Sequence, residues 1–372
     1  MNEALTNNTM KINIGPQHPS THGVLRLLAD LKGETITNIE PVIGYLHRGM
    51  EKMAETRTYL QYLPIADRVD YLSGFFCSFA FISGVESLIN AQIPIKAQYI
   101  RTITMEMNRI SSHLLWLGCY LLDLGATSPL FYTFIEREKL LNIFEDLTGS
   151  RMMYNYYTFG GVKRDIPTAL LKQIETFTKE FPKAIQEYED LISDNPIFLA
   201  RTLNTGILQK ETAKQYSITG ANLRASGVKK DLRKDLPYLV YNNLDFDIPV
   251  SSNADSYARY LVRIQEMKES NKIIAQCCDW LLSNETDSDI NSKINALTLK
   301  PEGSVLSSVE STRGLLECFI EADGTNKPLR VKWRTPSFYA VQLLPHIAKN
   351  CMLPDLMAIF GSLDIIMPEA DR

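Results

Sequence analysis

Histidine is scarce in this chain, five residues among 372, and the six cysteines form no C-x-x-C pair. The second absence removes the thiolate spacing typical of zinc ribbons, ferredoxin-type clusters and thioredoxin-like redox motifs. Long apolar runs are missing as well. The two most apolar stretches, Tyr71 to Val85 and Leu114 to Ala126, are short or interrupted, whereas a bilayer-spanning helix needs roughly 20 residues. A formal net charge of −4 without any basic run argues against a nucleic-acid partner. There is no internal repeat and no low-complexity tract, and a secretory leader ahead of the cysteines is not expected. The expected setting is a reduced compartment, with the chain peripheral to a membrane at most.

Two of the five histidines fall within Gly15-Pro16-Gln17-His18-Pro19-Ser20-Thr21-His22-Gly23. Pro19 lacks a backbone donor and the flanking glycines tolerate positive φ, so this segment is a loop. Its flanks alternate as strands do: Lys11 to Ile14 before it, Val24 to Leu27 after it, and Thr35 to Val42 beyond a turn at Lys32-Gly33. The spacing predicts a small antiparallel meander with two imidazoles at a loop. A zincin-like metal site is disfavoured, because no Glu follows His18 and a loop breaks the helical pairing of ligands. Acid–base work suits imidazole, whose unperturbed pKa is about 6.5. Simple hydrogen bonding within the loop is the third reading, and the residues alone leave it open.

Near Gly44 the pattern becomes mainly helical. Glu136 to Leu147 places Leu140, Leu141, Ile143, Phe144 and Leu147 on one face, and Gly149 can end that helix. Ser256 to Leu282 keeps Tyr260, Ile264, Met267, Ile274, Cys278 and Leu281 at helical spacing, which makes Cys277 and Cys278 packing residues instead of redox groups. The expected class is α+β, predominantly helical. We divide the chain into residues 1–45, the meander with its His loop, and a helical core at 46–372. That core carries an irregular, charge-rich excursion at about 217–250 and a further β element at about 302–336, where Leu329 to Trp333 alternates.

Four strings bring a family into view: Gly15 to Arg26, His47-Arg48-Gly49-Met50-Glu51-Lys52, Glu302-Gly303-Ser304-Val305 and Gly361-Ser362-Leu363-Asp364. They resemble the D subunit of respiratory complex I, the peripheral-arm component that helps to form the quinone site. Thr219 to Asp247 and Arg330 to Phe338 extend the resemblance over essentially the whole chain. That family is in turn similar to the large subunit of nickel–iron hydrogenases, which implies a hydrogenase-like helical bundle. In active hydrogenases two cysteine motifs hold the metals, soft sulfur ligands suiting nickel and iron. The first would fall on Arg68 to Ser73, where Asp70 and Ser73 replace the thiolates; the second would fall on Asp364 to Arg372, where Ile366, Glu369 and Arg372 stand for Cys, Cys and His.

The resemblance implies a quinone in place of the metals. Two-electron reduction puts negative charge on the ring oxygens, each of which must be stabilised and protonated. His22 and Tyr71 are then the head-group donors, and Asp123 pairs with His22, raising its imidazole pKa. Arg48 resembles the arginine near a terminal 4Fe-4S cluster, where a fixed positive charge raises the potential. The neighbouring B subunit of the complex would bind that cluster, since this chain offers no suitable cysteine set. His18 shapes the loop. Glu51 is a weak candidate for a proton route.

The partners implied are the B and C subunits, the membrane-arm subunits and quinone. The implied activity is NADH:quinone oxidoreduction coupled to proton translocation, at the cytoplasmic face of a bacterial inner membrane, with the chain inactive alone. An equivalent component of a ferredoxin- or deazaflavin-fed complex is one alternative. A catalytically silent hydrogenase-like scaffold is the other, although a bare scaffold would need none of His22, Tyr71 and Asp123.

This chain departs from the family pattern at three places. Many relatives carry His after Arg-Met, a group linked to pH-dependent cluster potential, where this chain reads Gly149-Ser150-Arg151-Met152-Met153. A cation is lost at Thr158, within Tyr157 to Gly161, and Asn350-Cys351 replaces a usual Gly-His. These changes suit a quinone of different potential, such as menaquinone, with ubiquinone still open. Methionine takes up no proton, so the potential of the neighbouring cluster is expected to depend only weakly on pH. A redox titration repeated across the neutral range tests this, and a steep dependence would contradict it.

Overall fold

The structure, a computed structural model, describes residues 9–16, 23–284 and 289–372. Three antiparallel strands open the chain in the order β1-β2-β3: β1 (Thr9–Ile14), β2 (Arg26–Lys32) and β3 (Thr35–Val42). Leu25, Leu27, Ala29 and Leu31 alternate onto one buried face, the period of two that a half-buried strand requires. The second strand starts at Arg26; Val24 forms only a bridge.

Helices follow: α1 (Met50–Thr56), α2 (Tyr59–Ala66), α3 (Gly74–Leu88), α4 (Ile95–Asp123) and α5 (Ser128–Thr148). A capping box starts α2, with Gln61 N–H donating to Thr58 Oγ1 (3.3 Å) and Thr58 N–H donating to Gln61 Oε1 (3.1 Å). As its spacing predicts, α5 buries Leu140, Leu141, Ile143, Phe144 and Leu147, and it ends at Gly149 with φ 82°. It begins eight residues before Glu136, because Pro129 in its first turn loses no intrahelical bond. The hairpin β4 (Tyr157–Thr158) with β5 (Gly161–Val162) is too short to show as a pattern in the sequence.

The long amphipathic α6 (Thr168–Ile192) precedes α7 (Pro196–Thr202) and α8 (Lys210–Gln215). The excursion about 217–250 is ordered and built of short pieces, including α9 (Gly220–Arg224) and α10 (Leu232–Asp235). Then comes α11 (Ser256–Ser283), whose first turn is capped by Asp255 Oδ1 accepting from Ala258 N–H (2.8 Å). Cys277 and Cys278 lie buried on it. A second antiparallel sheet, β6 (Glu302–Ser311), β7 (Gly314–Asp323) and β8 (Arg330–Arg334), fills the β element expected there. Three helices end the chain: α12 (Pro336–Ile347), α13 (Asp355–Leu363) and α14 (Met367–Asp371).

Two apolar cores result. The larger joins α2 to α6, α11 and the second sheet. In the smaller, the buried face of the meander packs on α12 and α13 through Leu343, Leu344, Ile359 and Phe360. The C-terminal segment also borders β3, where Ile36 N–H donates to Cys351 O (2.9 Å) and Asn350 N–H to Ile36 O (2.8 Å).

Between the cores α4 is buried almost all round, and Arg101, Glu106, Arg109 and His113 on it are solvent-free. Isolated buried charges cost several kcal/mol each, so they must pair. Arg101 grips Glu86 through two bonds (2.9 and 2.7 Å). Glu106 is the hub of the next group. Arg109 (3.1 Å) and Arg233 (3.2 Å) donate to it, as do the hydroxyls of Tyr241 (2.6 Å) and Ser270 (2.6 Å). Burial alone would raise its carboxyl, but Arg109, Arg233 and the two hydroxyls outweigh that and hold it down to about 2. Arg224 continues the seam, bonded to Glu310 (2.8 Å) and to Glu266, which in turn meets His113 Nε2 (3.0 Å).

A carboxyl held below its ordinary 4.5 stabilises the fold fully above that pH, and the contribution is lost as pH falls toward 2. Glu106→Gln leaves Arg109 and Arg233 with less charge to face, and is expected to cost about 3–5 kcal/mol of stability at neutral pH. Thermal melting with wild type alongside measures this. Equal melting temperatures at pH 7 would contradict it, and the difference should shrink in acid.

Candidate functional site

The turn 67–73 between α2 and α3 meets the tip of the β6–β7 hairpin. That hairpin closes through two residues, Thr312 and Arg313, and its tip runs into the protein. The approach needs glycine. A Cβ on Gly314 would lie 2.8 Å from the Gly220 nitrogen, and one on Gly220 would lie 2.5 Å from the Gly314 Cα, with φ positive at both.

Arg313 is thereby buried among acids. Its Nη1 donates to Asp70 Oδ2 (2.5 Å) and Ser73 Oγ (3.0 Å), and its Nη2 to Ser112 Oγ (3.1 Å) and Asp364 Oδ1 (3.4 Å). Burial would lower the guanidinium, yet Asp364, Asp70 and Glu369 together raise it. Arg68 to Ser73 and Asp364 to Arg372, the two stretches singled out in the sequence, thus converge on one arginine.

The second stretch is anchored by its own bonds. Glu369 is fully buried, and its Oε2 accepts from the backbone N–H of Ser337 (3.3 Å) and from the Ser337 hydroxyl. Burial and the nearby Asp70 charge push its carboxyl up to about 8, against the pull of Arg313 and Ser337. Beyond it, Asp371 accepts from Gly44 N–H (2.8 Å) and Leu46 N–H (2.8 Å), and His47 Nδ1 meets the Asp371 carbonyl at 2.8 Å. The C-terminus therefore positions the His47-Arg48-Gly49 segment. Glu51 is locked into that junction by the Trp333 N–H (3.0 Å), Lys332 (3.0 Å) and Arg372 (3.2 Å). Those partners hold its carboxyl low despite burial, which suits an anchor better than a proton carrier.

Tyr71 is partly buried on the same turn as Asp70. Burial and the charge of Asp70 raise its phenol, Arg313 works against them, and Cys119 and Asp364 add to the rise. Asp123 is the last residue of α4, one turn beyond Cys119. Cys119 is pushed up to about 11 by burial, then by Asp123 and Asp364. Cys119 thus feels the charge of Asp123 and in turn acts on Tyr71. Arg48 is exposed and donates through Nη2 to the carbonyl of Arg68 (2.5 Å), at the start of Tyr71's turn. Partial burial and then the Arg68 charge lower it. His18 and His22 lie outside the described residues.

Arg313, Ser112 and Ser337 are absent from the sequence-derived site. An arginine in a two-residue hairpin turn reads as solvent-facing, and only insertion of the hairpin tip buries it. Asp67, which closes α2, was also unforeseen. Burial pushes it up to about 7, although it accepts from Asn155 N–H (2.9 Å) and the Ser78 hydroxyl, and although Arg68 and Lys163 favour its charge. It lies against the loop in which Met153 adopts φ 59°. Among the described residues no group of three or more His, Cys, Asp or Glu is arranged to hold a metal ion, and no helix is long and apolar enough to cross a membrane.

Comparison with known proteins adds an independent line. The family model described as respiratory-chain NADH dehydrogenase, 49 Kd subunit, matches residues 123–372. The chain is 44% identical to the D subunit of NADH-quinone oxidoreductase from Bacillus thuringiensis (strain Al Hakam), over 97% of this chain and 98% of that protein. Identity and coverage are the same for the D subunit from Geobacillus thermodenitrificans (strain NG80-2). The D 2 subunit from Symbiobacterium thermophilum is also 44% identical, over 97% of each chain. With near-complete coverage of relatives that share one name, and a family model that matches residues 123–372, the chain belongs to the respiratory-chain NADH dehydrogenase 49 Kd subunit family, that of the NADH-quinone oxidoreductase D subunits.

Proposed function

We propose that this chain forms, together with the B subunit, the quinone-reduction site of a proton-translocating NADH:quinone oxidoreductase. The C subunit and the membrane-arm subunits complete its surroundings, at the cytoplasmic face of the inner membrane. The observation that carries the reading is the position of Tyr71, a partly exposed phenol beside a buried Arg313 held by Asp70 and Asp364. Reduction of a quinone by two electrons builds negative charge on its ring oxygens, and a phenol donates a hydrogen bond and then a proton without first ionising. The rise in the Tyr71 phenol's pKa keeps it protonated at neutral pH, ready for that role.

His22 is the second donor in this reading, with Asp123 holding its imidazolium. The electrons arrive from a 4Fe-4S cluster that the B subunit binds. This chain's thiols are a poor donor set for such a cluster: Cys77, Cys277, Cys278 and Cys318 are buried on separate elements or packed in the core, and burial raises each of them. Cluster ligation needs thiolates. Arg48, exposed beside Tyr71's turn, supplies the positive charge on the side from which the electrons come.

Tyr71→Phe tests the reading in membranes, with quinone reduction ratioed to reduction of an artificial acceptor that draws electrons upstream. The ratio is expected to fall about tenfold or more, equivalent to about 1.4 kcal/mol in barrier; an unchanged ratio would remove the phenol from the site. Asp123→Asn removes the charge that favours imidazolium at His22. The alkaline limb of quinone reduction is expected to move about one unit toward lower pH, since less of the acid form survives at a given pH. A pH–rate profile of both forms checks the direction, and a shift to higher pH would refute the pairing.

A further inference from the structure

The cluster around Arg313 holds more carboxyls than its guanidinium can match. Asp70 pairs with Arg313 directly, and Asp364 sits between Arg313 (3.4 Å) and Arg263 (3.9 Å). Glu369 is different. It is fully buried, and among the described residues it makes no ion pair: Oε2 has only the Ser337 N–H and hydroxyl, and Oε1 has no hydrogen-bond partner. A buried carboxylate without a cation is costly, whereas the neutral acid is not.

Two of the groups that face it, Arg313 and Ser337, favour its charge, and burial and its other neighbours outweigh them. Asp70 comes from the turn 67–73 and opposes its ionisation; Cys77 on α3 feels its charge; Asp364 lies at the end of α13 on the same arginine. On its own helix, Asp371 is turned to Gly44 and Leu46 and Arg372 to Glu51, away from the carboxyl.

We propose that Glu369 is the group that returns a proton to Tyr71 after the phenol has protonated a quinone oxygen, passing it through Ser337 and the Arg313 cluster. The proposal rests on the quinone-site reading given above. A cavity of about 10 Å³, the volume that admits one water, is lined by Ser337, Arg313, Asp364, Thr219 and Asn222. Arg313 Nε and Asp364 Oδ2, both buried, have no hydrogen-bond partner in the protein. Ser337 thus touches Glu369 on one side and this cavity on the other.

The step balances simply. Two electrons from the iron–sulfur donor reduce the quinone, the Tyr71 O–H bond breaks as its proton goes to one ring oxygen, and an N–H bond of the His22 imidazolium breaks as its proton goes to the other. The Glu369 O–H bond then breaks, the Tyr71 O–H bond re-forms, and water later supplies the proton that the Glu369 carboxylate takes back. The direction of transfer follows from ordinary acidities, a carboxylic acid being a stronger acid than a phenol, and burial raises both groups. Glu369 touches neither quinone nor cluster here, so its part is proton supply.

The test uses the assembled complex in membranes, with Glu369→Gln, Glu369→Asp and Ser337→Ala alongside Tyr71→Phe. Glu369→Gln is expected to lower quinone turnover about tenfold or more, with the quinone KM and the artificial-acceptor rate near wild type. Glu369→Asp should restore most of the turnover, and Ser337→Ala should lose part of it. Infrared difference spectra of the oxidised and reduced wild-type complex should show a protonated-carboxyl band that Glu369→Gln abolishes. A purely structural Glu369 would move KM or assembly and leave that band in place. If Glu369→Gln fails to assemble, Ser337→Ala decides: reduced turnover at an intact acceptor rate supports the relay, and wild-type turnover overturns it. Wild-type ratios in Glu369→Gln and Ser337→Ala, with a defect in Tyr71→Phe, would overturn the inference and leave the quinone reading standing. Wild-type ratios in all of them would remove both.

Discussion

Everything central in this molecule depends on guanidinium groups that cannot reach water. Arg101, Arg109, Arg224, Arg233, Arg259, Arg263 and Arg313 are all essentially solvent-free. In an apolar interior each would be prohibitive alone. Many of their acceptors come from other elements: Arg101 from α4 meets Glu86 on α3 and the carbonyls of Thr158 and Gly161, and Arg313 reaches back to Asp70. These pairings require α4, α11, the excursion and the second sheet to be in place together. Replacing a buried pair by apolar side chains is often neutral or better for stability, so the seam is more informative about arrangement than about net free energy.

That seam also explains where the candidate site lies. Four elements end or turn at Arg313: the turn 67–73, the β6–β7 hairpin, the end of α13 and the short α14. Together they bring Asp70, Ser73, Thr312, Asp364 and Glu369 to the arginine, and the surplus is acidic. A buried cluster with more carboxyls than cations resolves its charge by keeping a proton or by accepting one. Tyr71, next to Asp70 in the turn 67–73, is partly buried and feels the charges of Asp70, Arg313 and Asp364.

Much of the architecture was legible because it rests on local rules. The alternation of β2 and β3, the apolar stripe of α5 with its Gly149 stop, and the 3.6-residue spacing along α11 each follow from one segment's own pattern. Tyr157 to Val162 did not read as a hairpin, since two residues per strand carry no period. Nor did the charge-rich stretch around Asp231 and Arg233 read as interior. Its charges look like solvated surface until Glu106, Glu266 and Glu310 are folded against them.

The sequence by itself determined the class of fold and the family strings, because residue identity and short-range periodicity suffice for these. The tertiary structure alone decided that Glu51 is a locked anchor, that Arg313 is interior, and that Glu369 is buried without a cation. Proton affinity depends on distance to charges and on exclusion of water. Between Asp70 and Glu369 both are set by contacts nearly 300 residues apart in the chain.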